Sequence, residues 1–237
     1  MLALAALGQG VQWKPGPGRA ALDAAAELGV PAGLVYADGP QALLFLESTG
    51  NPPSGAERLV AGPPDLGWFA VFSVEGYETL GLVRPVDGKP DLASIRAAIE
   101  RGSRSANRER ARQGRETLAV LRFSEEPSWD EARGRVEWSL ETRESGGRRV
   151  RNHFAYVLGP GQVIAAELVT PGPNRQALAS FRALLDTAAF SSPVRVAPPI
   201  PGKKRSPLLA ASAVALIVVL GAILLLTQSL RKGTTPS

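Results

Sequence analysis

From Leu208 to Leu226 the chain reads LLAASAVALIVVLGAILLL, nineteen residues without a charged side chain. Wound as a helix at about 1.5 Å per residue, such a run is about 28 Å long, which matches the hydrocarbon thickness of one bilayer. Lys203, Lys204 and Arg205 precede it, and Arg231 and Lys232 follow. Cations on both sides suit headgroup regions, and Pro207 stands where a helix start tolerates it. We therefore expect a transmembrane helix over 208–230 and a short basic tail over 231–237. Upstream, 191–207 holds a run of prolines (SSPVRVAPPIPG) and reads as an extended stalk. That leaves 11–190 for a folded domain. Residues 1–10, MLALAALGQG, are apolar and carry an Ala3-Leu4-Ala5 pattern but no basic start, so they read as the remnant of a signal peptide. On that reading the body is exported. Charge does not choose the orientation, because three cations on the domain side face two on the tail side.

Composition removes most metal and redox chemistry. With no cysteine and one histidine, the chain has no thiolate zinc site, disulfide, iron–sulfur cluster or multi-histidine centre. We expect no cofactor. The net charge of +5 suggests a nucleic-acid partner only until its location is read. Five of the 27 basic residues lie beyond residue 202, where no acid occurs, so the remaining 22 meet all 22 acids in the body. A neutral body is not expected to bind nucleic acid.

The body reads as a mixture of helices and strands. Strands are expected at 11–14, 34–37 and 67–74, with a short helix over 41–49 closed by Gly50. The longest helix starts from Asp91 and runs to about Gln113, with Leu92, Ile95, Ile99 and Ala106 on one stripe. Four strand-like runs follow, at 117–123, 135–142, 149–158 and 162–169. In the second, Val136, Trp138 and Leu140 alternate with Glu137, Ser139 and Glu141. Asn174 then caps an amphipathic helix bearing Leu178, Phe181, Leu184 and Leu185. The fold class expected is α+β, an antiparallel sheet flanked by helices.

Few residues suggest chemistry. His153 sits mid-strand, and it could act as a base only beside a carboxylate and a nucleophile brought in by the fold. Glu125, Glu126 and Asp130 cluster around Pro127 and Trp129 in what reads as a polar loop. They could serve as an acid–base pair with His153, but they lack the rhythm of a calcium loop. No nucleophile elbow, zinc-protease or phosphate-loop pattern occurs. On the long helix, Arg101, Arg104 and Arg108 form a stripe with Arg96 and Arg112, which could face an anion or an acidic partner.

Trp13 with Gly16-Pro17, Val30-Pro31, Gly50-Asn51, Gly76-Tyr77, Asn107 with Arg110 and Gly114, Glu137-Trp138, Asn152 and Leu158-Gly159 occur in this order before the apolar run. In that order and spacing the chain resembles bacterial membrane-anchored proteins grouped only as a domain of unknown function, over roughly residues 11–195. The resemblance implies a signal peptide, an exported domain and an inner-membrane anchor, and it brings no catalytic residues. The chain departs from that pattern at Glu78-Thr79-Leu80-Gly81-Leu82, where acidic residues are usual, and at Pro160, where an arginine is. The closing helix with Phe181 and Leu185, followed by Ala189-Phe190, is similar to the end of PsbP-like α/β sandwiches.

The expected function is a single-pass, non-enzymatic binding or scaffolding module. It would contact the bilayer through 208–226 and an envelope protein through its body. The alternatives are a tethered hydrolase or transferase using the carboxylates, and a cytoplasmic tail-anchored adaptor using the arginine stripe.

Overall fold

The computed structural model describes residues 10–191 other than 50–52, 86–88, 113–116, 118, 144–148 and 171. The expected signal remnant (apart from Gly10), the stalk beyond Ser191 and the expected membrane helix lie outside the described residues. Among those described, no helix is long and apolar enough to cross a membrane.

Two strands buried on both faces organise the domain. β6 (Phe69–Glu75) and β10 (Val163–Val169) pair antiparallel at the centre of an eight-stranded sheet. Near-continuous apolar runs are what strands covered on both sides require. Beyond β6 lie β5 (Glu57–Gly62), β4 (Val35–Asp38) and β1 (Lys14–Pro15). Beyond β10 lie β9 (Arg149–Leu158), β8 (Arg135–Arg143) and the edge strand β7 (Ala119–Asp130). All pairings are antiparallel. A second sheet of three strands joins β2 (Gly18–Ala21), β3 (Ala26–Val30) and β11 (Ala189–Phe190).

One face of the large sheet packs against the small sheet and α3 (Arg175–Leu185). Ala70, Phe72, Ile164, Ala166 and Leu168 meet Leu28, Val30, Phe181, Leu184 and Leu185 in one core. The helix is held at its start by Asn174, whose side chain accepts the Ala177 N–H at 2.9 Å. The other face carries two separate cores. α2 (Leu92–Arg112) lays Ile95, Ala98 and Ile99 against Val136, Trp138, Phe154, Val163 and Ala165. α1 (Pro40–Ser48) lays Ala42, Phe45 and Leu46 against Val60, Phe69, Val71 and Val169. Each large side chain buried in these cores contributes roughly 1.5–3 kcal/mol.

The α+β class and the antiparallel sheet with flanking helices are as expected, but three local readings change. The segment bearing Glu125, Glu126 and Asp130 is strand, not loop, because β7 runs through Pro127 to Asp130. An edge strand tolerates proline, and the register shifts between Val120 and Ser128 are the bulges through which this edge accommodates its irregular sequence. β5 and the β2–β3 hairpin were not anticipated, since GRAA, AELGV and ERLVAG offer little alternation. At Gly159 a Cβ would sit 2.5 Å from the Phe190 ring, so this turn residue lets β11 close against the β9–β10 connection.

Candidate functional site

Register decides which of the four titratable candidates meet. On β7 and β8, Glu125 pairs with Ser139, and on β8 and β9, Ser139 pairs with His153. The three therefore stand in one row across three strands, on the α3 side of the sheet. The Ser139 hydroxyl lies 2.7 Å from Glu125 Oε2 and 2.7 Å from His153 Nδ1, while His153 and Glu125 themselves are 3.8 Å apart. Glu126 points to the opposite face, where Arg96 binds it at 2.7 Å and also holds Glu100. Asp130 ends the strand and accepts the Arg133 guanidinium at 2.9 Å, which lowers its pKa below the usual carboxylate value. One carboxylate of three converges with the histidine.

The protons of this row are constrained. Glu125 as a carboxylate only accepts, so the single hydroxyl proton of Ser139 goes to it. His153 must then donate Nδ1–H to Ser139, which leaves Nε2 as the free ring nitrogen. Ser139 is wholly buried, and both its donor and its acceptor roles are used. Such a hydroxyl fixes a histidine tautomer; a nucleophile would need a free approach from solvent. Burial lowers the histidine pKa, Glu125 opposes this, and Arg151 and Arg182 add to the lowering. Beside the row, buried Arg135 binds Glu137 at 2.6 Å and Asp186 at 2.6 Å, and Arg182 binds Glu137 at 2.8 Å. These ion pairs tie β8 to α3 and account for the polar face that the alternation of β8 anticipated.

The largest electrostatic anomaly lies on the other face. Along β10, Val163 and Ala165 belong to the α2 core and Val169 to the α1 core, and Glu167 stands between them with no solvent exposure. Asn152, also fully buried, donates Nδ2–H to Glu167 Oε1 at 3.2 Å. Glu167 Oε2 and Asn152 Oδ1 have no partner. Burial raises the pKa of this carboxyl well above the ordinary value, and the charge of Glu57 raises it further. Glu57, buried on β5, accepts Ser54 N–H, Ser54 O–H and Gly55 N–H. Glu75 is raised too, by burial and by Glu57. A polar seam thus divides two apolar cores. Its only sequence signal is a lone glutamate in VIAAELV, a strand otherwise fit for burial. Among the described residues, no group of three or more His, Asp or Glu is arranged to hold a metal ion.

The arginine stripe is placed as its spacing requires. Arg101, Arg104 and Arg108 are exposed on the face of α2 opposite Ile95, Ala98, Ile99 and Ser103. Arg96 is engaged by Glu100 and Glu126, but among the described residues no carboxylate pairs with Arg101, Arg104 or Arg108.

A family model described as "Protein of unknown function (DUF2167)" matches residues 14–195. The chain belongs to this family. No curated protein matches it. Among solved structures, the DUF2167 domain is similar to that of cyanobacterial PsbP (CyanoP) from Synechocystis sp. PCC 6803, at 16% identity and a TM-score of 0.43. The match covers 76% of this chain and 93% of that one. A likeness at this level carries no functional implication.

Proposed function

We propose that this DUF2167 chain is a non-enzymatic binding module, held at a bacterial inner membrane by residues 208–230 with its body on the non-cytoplasmic side. The arginine face of α2 is the surface that takes another envelope component. One observation carries the reading: three exposed arginines stand in a row with no acidic partner among the described residues, whereas Arg96 on the same helix and Arg135 and Arg182 on the opposite face of the sheet are matched by carboxylates. Long side chains left unpaired on a rigid helix provide a surface for binding and nothing evident for folding. The division of the carboxylates supports it, since Glu126 and Asp130 are bound elsewhere and Ser139 is sealed.

The test has two parts. Protease added to intact spheroplasts should digest the body, and protection until lysis would overturn the placement. In-cell photocrosslinking from α2 should yield an adduct, to lipid or to protein, that R101E/R104E/R108E abolishes at unchanged protein level. An unchanged adduct would overturn the assignment of the surface.

A further inference from the structure

Resting on that reading, we propose that the arginine face of α2 docks on the anionic headgroups of the same bilayer in which the chain is anchored. Arg101, Arg104 and Arg108 follow one another at three and four residues, so they form a line of about 10 Å on a convex helix surface. A line of cations on a convex surface suits a plane of charge and not a cleft.

The apolar surface decides between a lipid and a protein. Protein interfaces depend on a buried aromatic or aliphatic centre within a polar rim. Among the described residues, the exposed large apolar side chains are Leu44 on α1 and Val83. Val83 is 71% exposed, and it follows Gly81 and Leu82 in the loop packed on α2, where a Cβ at Gly81 would lie 3.6 Å from Arg101 Nη2. Cations with one short apolar side chain beside them are sufficient for an interfacial contact and too little for a protein hot spot.

The connection to the anchor permits the contact. Phe190 closes on Gly159, and the Gly159 carbonyl accepts the Tyr77 hydroxyl at 2.9 Å from the α2 side of the sheet. The same end of the sheet receives the start of α2, because Lys89 pairs with Glu131 just past β7. The folded domain is therefore left, at Ser191, near the end where α2 begins. Sixteen residues separate Ser191 from Leu208, a length of chain that would span at most about 50 Å if fully drawn out, against about 32 Å for the 21 residues of α2. The whole arginine row lies within reach of the surface that the anchor enters.

The chain contains no cysteine, so Ala111→Cys, exposed near the end of α2, gives one labelling site, and Ala179→Cys on exposed α3 gives a control on the other side of the sheet. The full chain, labelled with a donor dye, is reconstituted in phosphatidylcholine vesicles with and without phosphatidylglycerol, each carrying an acceptor lipid. Energy transfer from the α2 site should rise with phosphatidylglycerol and that from α3 should not. The gain should vanish near 0.5 M salt, where the screening length is about 4 Å. R101Q/R104Q/R108Q should lower the docked-to-free ratio by roughly 100-fold, whereas R101K/R104K/R108K should keep it, since headgroup attraction follows charge. Equal transfer on both lipids, or loss of docking in the lysine variant, would overturn lipid docking and leave an acidic protein as the occupant of the surface. Failure of the chain to float with either vesicle would overturn the anchor, and the docking with it.

Discussion

One face of the large sheet is covered by α3 and the small sheet and the other by α1 and α2, and the first carries one continuous core while the second is cut. On the α3 side, Phe72, Ile164 and Leu168 belong to one uninterrupted core. On the α1 and α2 side, Glu167, Asn152 and Glu57 separate two cores. The two faces also hold their titratable groups differently. His153 at the margin of the α3 side has its Nδ1 proton directed by Ser139 and Glu125. Glu167 has one weak partner and an orphan oxygen. The continuous face stabilises the domain, while the divided face tolerates a cost of the kind that natural cores retain for a reason other than stability.

The strongest way to break this comparison is to cut into each core. Phe72→Ala on the continuous side and Trp138→Ala on the divided side should each cost about 3–5 kcal/mol in urea unfolding. Trp138 stacks on Phe154 at 5.5 Å and meets Tyr156 edge-on at 4.6 Å, and like Phe72 it is buried. A cost below about 2 kcal/mol for Trp138 alone would show that the seam already loosens its face.

Ser139→Ala should cost about 1–3 kcal/mol, because it leaves the His153 Nδ1–H without its acceptor. The single histidine makes the relay directly readable by proton NMR. Glu125→Gln should move its titration further down, since Glu125 is the main group holding it up. An upward move would show that the row does not exist in solution.

Glu167→Gln should stabilise the chain by roughly 1–2 kcal/mol at neutral pH, keeping the bond to Asn152 without the buried charge. The carboxyl is raised in the folded state, so its contribution is fully present below the unfolded value near 4.5 and is lost as pH rises toward the folded value. His153 is lowered, so its contribution is present above the unfolded value near 6.5 and is lost as pH falls toward the folded value. The two faces thus oppose each other. In unfolding measured against pH, Glu167→Gln should remove the loss on the alkaline side and leave the acid-side loss intact. An unchanged alkaline slope would refute the seam as its source. The smallest effect is expected at Asn174→Ala, about 1 kcal/mol, for loss of the α3 cap.

Much of this was legible beforehand. The alternation in β8 places Glu137, Ser139 and Glu141 away from the core of Val136, Trp138 and Leu140, as observed. The apolar stripes of α2 and α3 face their cores, and the arginines of α2 face outward. The β7 loop was misread because Pro127 and a run of carboxylates look like a turn, and only pairing with β8 makes them an edge strand. The convergence of Glu125 with His153 was also hidden, since 28 residues of chain separate groups that two registers bring into one row.

By itself the sequence determined what depends on composition and local period: no thiol chemistry, a neutral body with its cationic surplus at one end, a helix basic on one side, and strands with alternating faces. These follow from side-chain chemistry and from backbone repeats of 3.6 and 2 residues. The tertiary structure alone decided which polar groups meet. It placed Ser139 between His153 and Glu125, sent Glu126 to Arg96, and enclosed Glu167 beside Asn152 within reach of the charge on Glu57. Strand order and register are set by the summed packing of distant segments, so no short window of sequence contains them.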